Sequence, residues 1–201
     1  MRETKLIIFD VGGVIDRFDE SMYIKYISKK LHIDPTAFRN ALIPSLDSME
    51  IGKCSLAEME AKLSKRFRVS RAELEWNSAF EKLNGVNWDV VNLINRLSRH
   101  YRITILTNVS RSRHLVKMHE YMHKVKYERL FASCYMGLAK PDPRIYRYTL
   151  KKMGVQPDEA IFIDNLKVNT DGAEKVGIKS IRFVNYKGLV ASLKKIKIKI
   201  D

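Results

Sequence analysis

Two short apolar runs in this chain each stop on an aspartate. Leu6-Ile7-Ile8-Phe9 leads into Asp10 and the small-residue turn Val11-Gly12-Gly13-Val14, and Ala160-Ile161-Phe162-Ile163 leads into Asp164. A continuous apolar run that ends at a turn reads as a strand buried on both faces. Two such strands suggest two carboxylates gathered at one edge of a parallel sheet, which is where open α/β folds place their chemistry.

The stretch between these runs divides in two. From Asp19 the apolar period lengthens: Met22, Tyr23, Tyr26, Ile27 and Leu31 recur at three and four residues, as one face of a helix does. Asp34-Pro35 opens a second helix, and Ser55-Leu56-Ala57-Glu58 and Ser70-Arg71-Ala72-Glu73 each fit a capping box. Residues 16 to about 86 therefore read as four helices without a strand. Beyond them the pattern alternates: helix Val90–Leu97, strand Ile103–Leu106, helix Arg113 to Val125, strand Phe131–Met136, a helix opened by Asp142-Pro143, strand Ala160–Ile163, helix Val168–Val176 and strand Ser180–Val184. The tail Lys194–Ile200 alternates basic and apolar residues and reads as a short edge strand, with a nucleic-acid or lipid-binding tail as the sharper alternative. Strand–helix alternation argues a Rossmann-like parallel sheet with helices on both faces. The expected organisation is an α/β core of residues 1–15 and 87–201, interrupted by an α-helical cap of residues 16–86.

Charge is unevenly placed. The net +14 arises wholly from residues 90–201, with twenty-three bases against nine acids, while residues 16–89 balance at twelve each. A basic field attracts phosphorylated ligands, nucleic acid or anionic surfaces without choosing among them, and also serves as plain solubilising surface charge. The N-terminal apolar stretch, interrupted by Glu3 and Asp10, is too short for a membrane or secretory segment. Cys54 and Cys134 have no disulfide or metal spacing, so the expected home is a reducing cytoplasm.

Four segments follow predicted strand ends: Phe9-Asp10-Val11-Gly12-Gly13-Val14, Leu106-Thr107-Asn108, Lys140-Pro141-Asp142-Pro143, and Phe162-Ile163-Asp164-Asn165 with Asn169 and Gly172-Ala173. In this order, around a helical insert, they resemble the haloacid dehalogenase superfamily in its branch with a helical cap after the first motif. Glu50-Ile51-Gly52-Lys53-Cys54-Ser55 looks like the turn before a cap helix in that branch. Asp10-Val11-Gly12-Gly13-Val14 looks like the sugar-phosphate phosphatase-like group, in which glycine stands at the second position.

The resemblance implies a Mg²⁺-dependent phosphatase of a small, sugar-phosphate-like metabolite, a monomer or homodimer. Asp10 would be the nucleophile that forms an aspartyl phosphate. Asp10, Asp164 and the backbone carbonyl of Gly12 would hold Mg²⁺, a hard ion suited to oxygen donors. Thr107 and Asn108 would bind the substrate phosphate, Lys140 would neutralise the transferring group, and Asn165 and Asn169 are secondary candidates. Gly12 departs from the usual acid that protonates the leaving oxygen, a contribution of about 10²–10⁴ in rate. That loss restricts turnover to good leaving groups, or leaves a non-catalytic or weakly active phosphate-binding, regulatory protein as the alternative. Dehalogenating members also lack that acid, but they need no metal, and Asp164 favours phosphoryl chemistry.

Other residues read as structural. His114, His119 and His123 are expected along one basic, solvated helix face with Lys117, Lys124 and Lys126, despite an i, i+4 pair. Trp76, Phe80, Tyr23 and Tyr26 are expected in the packing of the insert.

Overall fold

Leu6–Phe9 forms β1, fully buried, the middle strand of a five-stranded parallel sheet. The computed structural model describes residues 3–200. After β1 come five helices: α1 (Glu20–Leu31), α2 (Pro35–Glu50), α3 (Leu56–Phe67), α4 (Arg71–Leu74) and α5 (Trp76–Leu83). The chain then runs through α6 (Trp88–Leu97), β2 (Arg102–Thr107), α7 (Arg111–Glu120), β3 (Arg129–Ala132), α8 (Ser133–Met136) and α9 (Pro143–Met153). It finishes with β4 (Ala160–Asp164), α10 (Lys167–Glu174), β5 (Lys179–Arg182) and α11 (Tyr186–Lys195).

The strand order is β3-β2-β1-β4-β5, so β1 pairs with β2 on one side and β4 on the other, with Phe9 level with Ile105 and Ile163. The direction of winding reverses at β1, which opens a crevice at the carboxyl ends of these three strands. Period-two alternation supplies both faces. Ile7, Phe9, Ile105 and Ile163 pack with Val90 and Ile94 of α6 and Leu189 of α11. Leu6, Ile8 and Phe162 pack on the other face with Ile145 and Leu150 of α9 and Ala173 of α10.

The five-helix insert has its own apolar cluster. Tyr23 and Ile27 of α1, Phe38 and Leu42 of α2, Leu63 of α3 and Phe80 of α5 are all buried within it, each contributing about 1.5–3 kcal/mol by burial. Local signals set its helix starts. Asp34 accepts from the Ala37 amide at 2.7 Å, and Ser55–Glu58 and Ser70–Glu73 form both capping boxes. Glu75, at φ 47°, breaks what the periodicity presents as one helix into α4 and α5. The two connections to the sheet pair with each other: the Arg17 amide donates to the Gly85 carbonyl and the Asn87 amide to the Ile15 carbonyl, both at 2.8 Å.

Several expectations need correcting. Lys194–Ile200 is not an edge strand. The chain is helical through Lys195, and the sheet ends at β3 and β5, because Leu189 and Leu193 spaced four apart bury against the sheet while the lysines face outward. Phe131–Met136 is a strand only to Ala132, then a helical turn that Gly137 ends at φ 66°. The Arg113 to Val125 helix ends at Glu120, so His119 and His123 do not share a helix face. Nor is that face wholly solvated: Lys117 is buried, paired at 2.8 Å with the fully enclosed Asp16, which also accepts from the Tyr121 hydroxyl. Trp76, Phe80 and Tyr23 are core residues as expected, and Tyr26 is partly buried with its hydroxyl donating to Glu75.

Candidate active site

Asp10 follows β1, Thr107 ends β2 and Asp164 ends β4, so three neighbouring strands deliver three polar side chains to one crevice. Lys140 arrives on the loop before α9 and lies between the two aspartates. Its Nζ is 2.8 Å from Asp10 Oδ1 and 2.6 Å from Asp164 Oδ2, and all three side chains are buried. Lys140 is thus the centre of an enclosed charge triad.

The triad is held from outside. The Asn108 amide group accepts from the Lys140 backbone N–H at 2.9 Å and donates to the Lys140 carbonyl at 3.0 Å, fixing the lysine's loop. Asn169 Nδ2 donates to both oxygens of Asp164 at 3.1 Å, and the Leu166 amide donates to its Oδ1 at 2.8 Å. Gly172 lets α10 close on this loop: a Cβ there would meet the Pro141 carbonyl oxygen at 2.8 Å.

Electrostatics follow from enclosure. Burial raises the Asp10 carboxyl to about 7; Lys140 opposes this and Asp164 reinforces it. Burial alone would lower Lys140, but Asp10 and then Asp164 outweigh it and lift its pKa above the usual lysine value. Two carboxyl groups thus face one ammonium, and a further cation beside them would favour the ionised form of Asp10.

A cleft of about 710 Å³ opens above it, bounded below by Asp10, Gly12, Lys140 and Asn169, and on the insert side by Glu20 and Glu50. Thr107 and Asp164 lie behind this surface. Thr107 is buried, with its hydroxyl 3.4 Å from the Asn108 carbonyl, and Asn108 has its side chain engaged with Lys140. Gly13 has φ 74° and faces Asn165 so closely that a Cβ would lie 2.2 Å from Nδ2, whereas a Cβ on Gly12 meets nothing within 4 Å. Asn165 Oδ1 is buried without a hydrogen-bond partner.

Two features were invisible as site residues in the sequence. Glu50, the last residue of α2, borders the cleft, and burial, then Glu20, then Asp47 and Asp10 push its carboxyl up to about 7 against the pull of Lys140. Arg113, on α7, has its guanidinium 4.0, 4.1 and 4.4 Å from the rings of Phe18, Trp76 and Phe80, with its nitrogens buried and unpartnered, and burial lowers it to about 10. Neither has a local signal, because each matters only through what the docking of insert on core brings opposite it.

Comparison with known proteins agrees with this architecture. A predicted HAD-like family hydrolase from Porphyromonas gingivalis matches 98% of this chain and 100% of its own, at TM-score 0.80 and 21% identity. A HAD family enzyme of Bacteroides thetaiotaomicron, solved with magnesium and inorganic phosphate, matches 89% of this chain and 93% of its own at TM-score 0.71 and 21% identity. Among curated proteins, flavin mononucleotide hydrolase 1 of Arabidopsis thaliana is 34% identical over 71 residues, 35% of this chain and 29% of the relative. Glyceraldehyde 3-phosphate phosphatase of Pyrococcus furiosus is 38% identical over 58 residues, 28% of this chain and 24% of the relative. These matches span under a third of the curated relatives' length, 6% in mouse acyl-CoA dehydrogenase family member 10. The haloacid dehalogenase-like hydrolase family matches residues 4–177, and with the sheet order and helical insert described above it follows that the chain belongs to that family.

Proposed function

We propose that this protein is a Mg²⁺-dependent phosphatase of a small phosphorylated metabolite, working through an aspartyl phosphate on Asp10. The observation that carries the reading is the Asp10–Lys140–Asp164 triad at the floor of a cleft beneath the helical insert. Residues 16–86 would act as a cap over the core of residues 1–15 and 87–201, excluding water and selecting the substrate.

The residues present fit a hard cation. Two carboxylates already converge on one positive charge, and the buried Asn165 Oδ1 is an oxygen without a partner. Asp10, Asp164 and the Gly12 carbonyl would hold the ion, with Asn165 beside them. Bound Mg²⁺ would supply charge stabilisation for the transferring phosphoryl group. Asp10 attacks phosphorus: Lys140 donates to its Oδ1 and opposes the rise that burial imposes on its carboxyl, and the Asp10 backbone amide is anchored to the Ile163 carbonyl at 2.9 Å. The Lys140 ammonium neutralises charge accumulating on the phosphoryl oxygens. The basic balance of residues 90–201 draws anionic substrates toward the crevice.

The test is phosphate release from an aryl phosphate and a panel of metabolite phosphates, with Mg²⁺ and with EDTA. Release that needs Mg²⁺ and vanishes in Asp10→Asn supports the reading. Release that survives Asp10→Asn removes the nucleophile assignment, and phosphate binding without any release favours a binding protein.

A further inference from the structure

Gly12 leaves a gap in the chemistry, and the structure shows a physical gap at the same place. A Cβ there would meet nothing within 4 Å, and two cavities meet at it: the main cleft and a smaller space of about 60 Å³ between insert and core. Both are also bounded by Glu50, at the end of α2. We propose that Glu50, reaching from the helical insert into the space before Gly12, is the proton carrier for phosphoryl transfer in this protein. The inference rests on the phosphatase reading and assigns it a further catalytic residue.

Geometry sets Glu50 apart from the cleft's other acids: Glu20 borders both cavities too but is exposed, Asp47 is exposed and borders only the main cleft, and Glu50 is half-buried. Asp142 is tied to Arg144 at 2.6 Å, and Asp19 caps α1 by accepting from the Ser21 amide at 2.7 Å. Asp10 is engaged by Lys140. Among the described residues, the Glu50 carboxyl has no hydrogen bond or ion pair that would hold it away from the cleft. It shares the cleft with Glu20 and Asp47 from the insert and with Asp10 and Lys140 from the core, and the side cavity adds Arg113 and Lys117. Burial and the three neighbouring carboxylates outweigh Lys140 and raise its proton affinity to about 7, so both protonation states are present near neutral pH.

The steps balance with one proton cycling on one residue. In the first, an Asp10 oxygen forms a bond to phosphorus as the phosphorus–oxygen bond to the alcohol breaks, and the departing oxygen takes the proton from Glu50. In the second, Glu50 as carboxylate accepts a proton from the water that attacks the aspartyl phosphate. The phosphorus–oxygen bond to Asp10 breaks, inorganic phosphate leaves, and Glu50 is protonated again.

The experiment is a leaving-group series of aryl and alkyl phosphates on wild type, Glu50→Gln and the double variant Glu50→Gln/Gly12→Asp, with thermal unfolding to verify that each is folded. Glu50→Gln should lose about 10²–10⁴-fold in kcat on alkyl phosphates and less than about threefold on the best aryl leaving group. Its dependence on leaving-group pKa should become steeper, and adding Gly12→Asp should recover at least tenfold on alkyl esters. A uniform loss across the series, or none, in a folded Glu50→Gln variant overturns Glu50 while leaving the phosphatase reading intact. Failure of the wild type to release phosphate from any ester overturns both.

Discussion

Gly12 and Gly13 are adjacent, yet the structure predicts opposite outcomes for replacing them with alanine. Gly13 has φ 74°, a conformation that costs an L-residue about 1–2 kcal/mol. A Cβ there would also lie 2.2 Å from Asn165 Nδ2 and 2.7 Å from its Cγ. The half-buried Asn165 side chain, which makes no hydrogen bond of its own, must turn aside and adds a smaller cost. Gly13→Ala should therefore destabilise the fold by about 1–3 kcal/mol, or about 2–12 °C in Tm for a domain of this size. Gly12→Ala meets no atom within 4 Å and should change stability by less than about 0.5 kcal/mol. Urea unfolding followed by circular dichroism measures both. A Gly13→Ala variant within 0.5 kcal/mol of wild type, or a Gly12→Ala variant as damaged as Gly13→Ala, would refute the account of this turn. Because Asn165 borders the cleft, Gly13→Ala should also lower phosphate release.

Two further changes probe the supports. Lys117→Met leaves Asp16 enclosed with only the Tyr121 hydroxyl and the Phe18 amide as donors and should cost about 3–5 kcal/mol in urea unfolding, with much of that recovered in Lys117→Met/Asp16→Asn. Asn108→Ala removes the paired bonds to the Lys140 backbone and leaves a partly buried N–H unpartnered. It should cost about 1–3 kcal/mol, and a drop in kcat larger than the change in KM would mark Lys140 as displaced from the reacting group.

Much of the fold is written locally. The interiors of β1 and β4 are apolar at every position, which only a sheet covered on both faces permits, and Asp34-Pro35, Ser55–Glu58 and Ser70–Glu73 start helices through bonds spanning three residues. Where expectation failed, a local pattern served a different burial. The alternation in Lys194–Ile200 mimics a strand, but the helix before it runs through Lys195 because Leu189 and Leu193 seat it on the sheet. Glu75 could not be recognised as a break between two helices, since its left-handed backbone has no glycine to announce it.

The chain's residue pattern by itself determined the parallel sheet, the helical insert and the placing of Asp10 and Asp164 at strand ends, because period, caps and turns are properties of neighbours in sequence. Tertiary structure decided which groups share a charge. Lys140 became the bridge between two aspartates, Asn108 became its anchor, and Lys117 left the solvated face to pair with Asp16. It also brought Glu50 opposite Gly12 across the junction of insert and core. Such pairings depend on how helices dock over a twisted sheet, and burial then multiplies the strength of each charge, so no spacing along the chain records them.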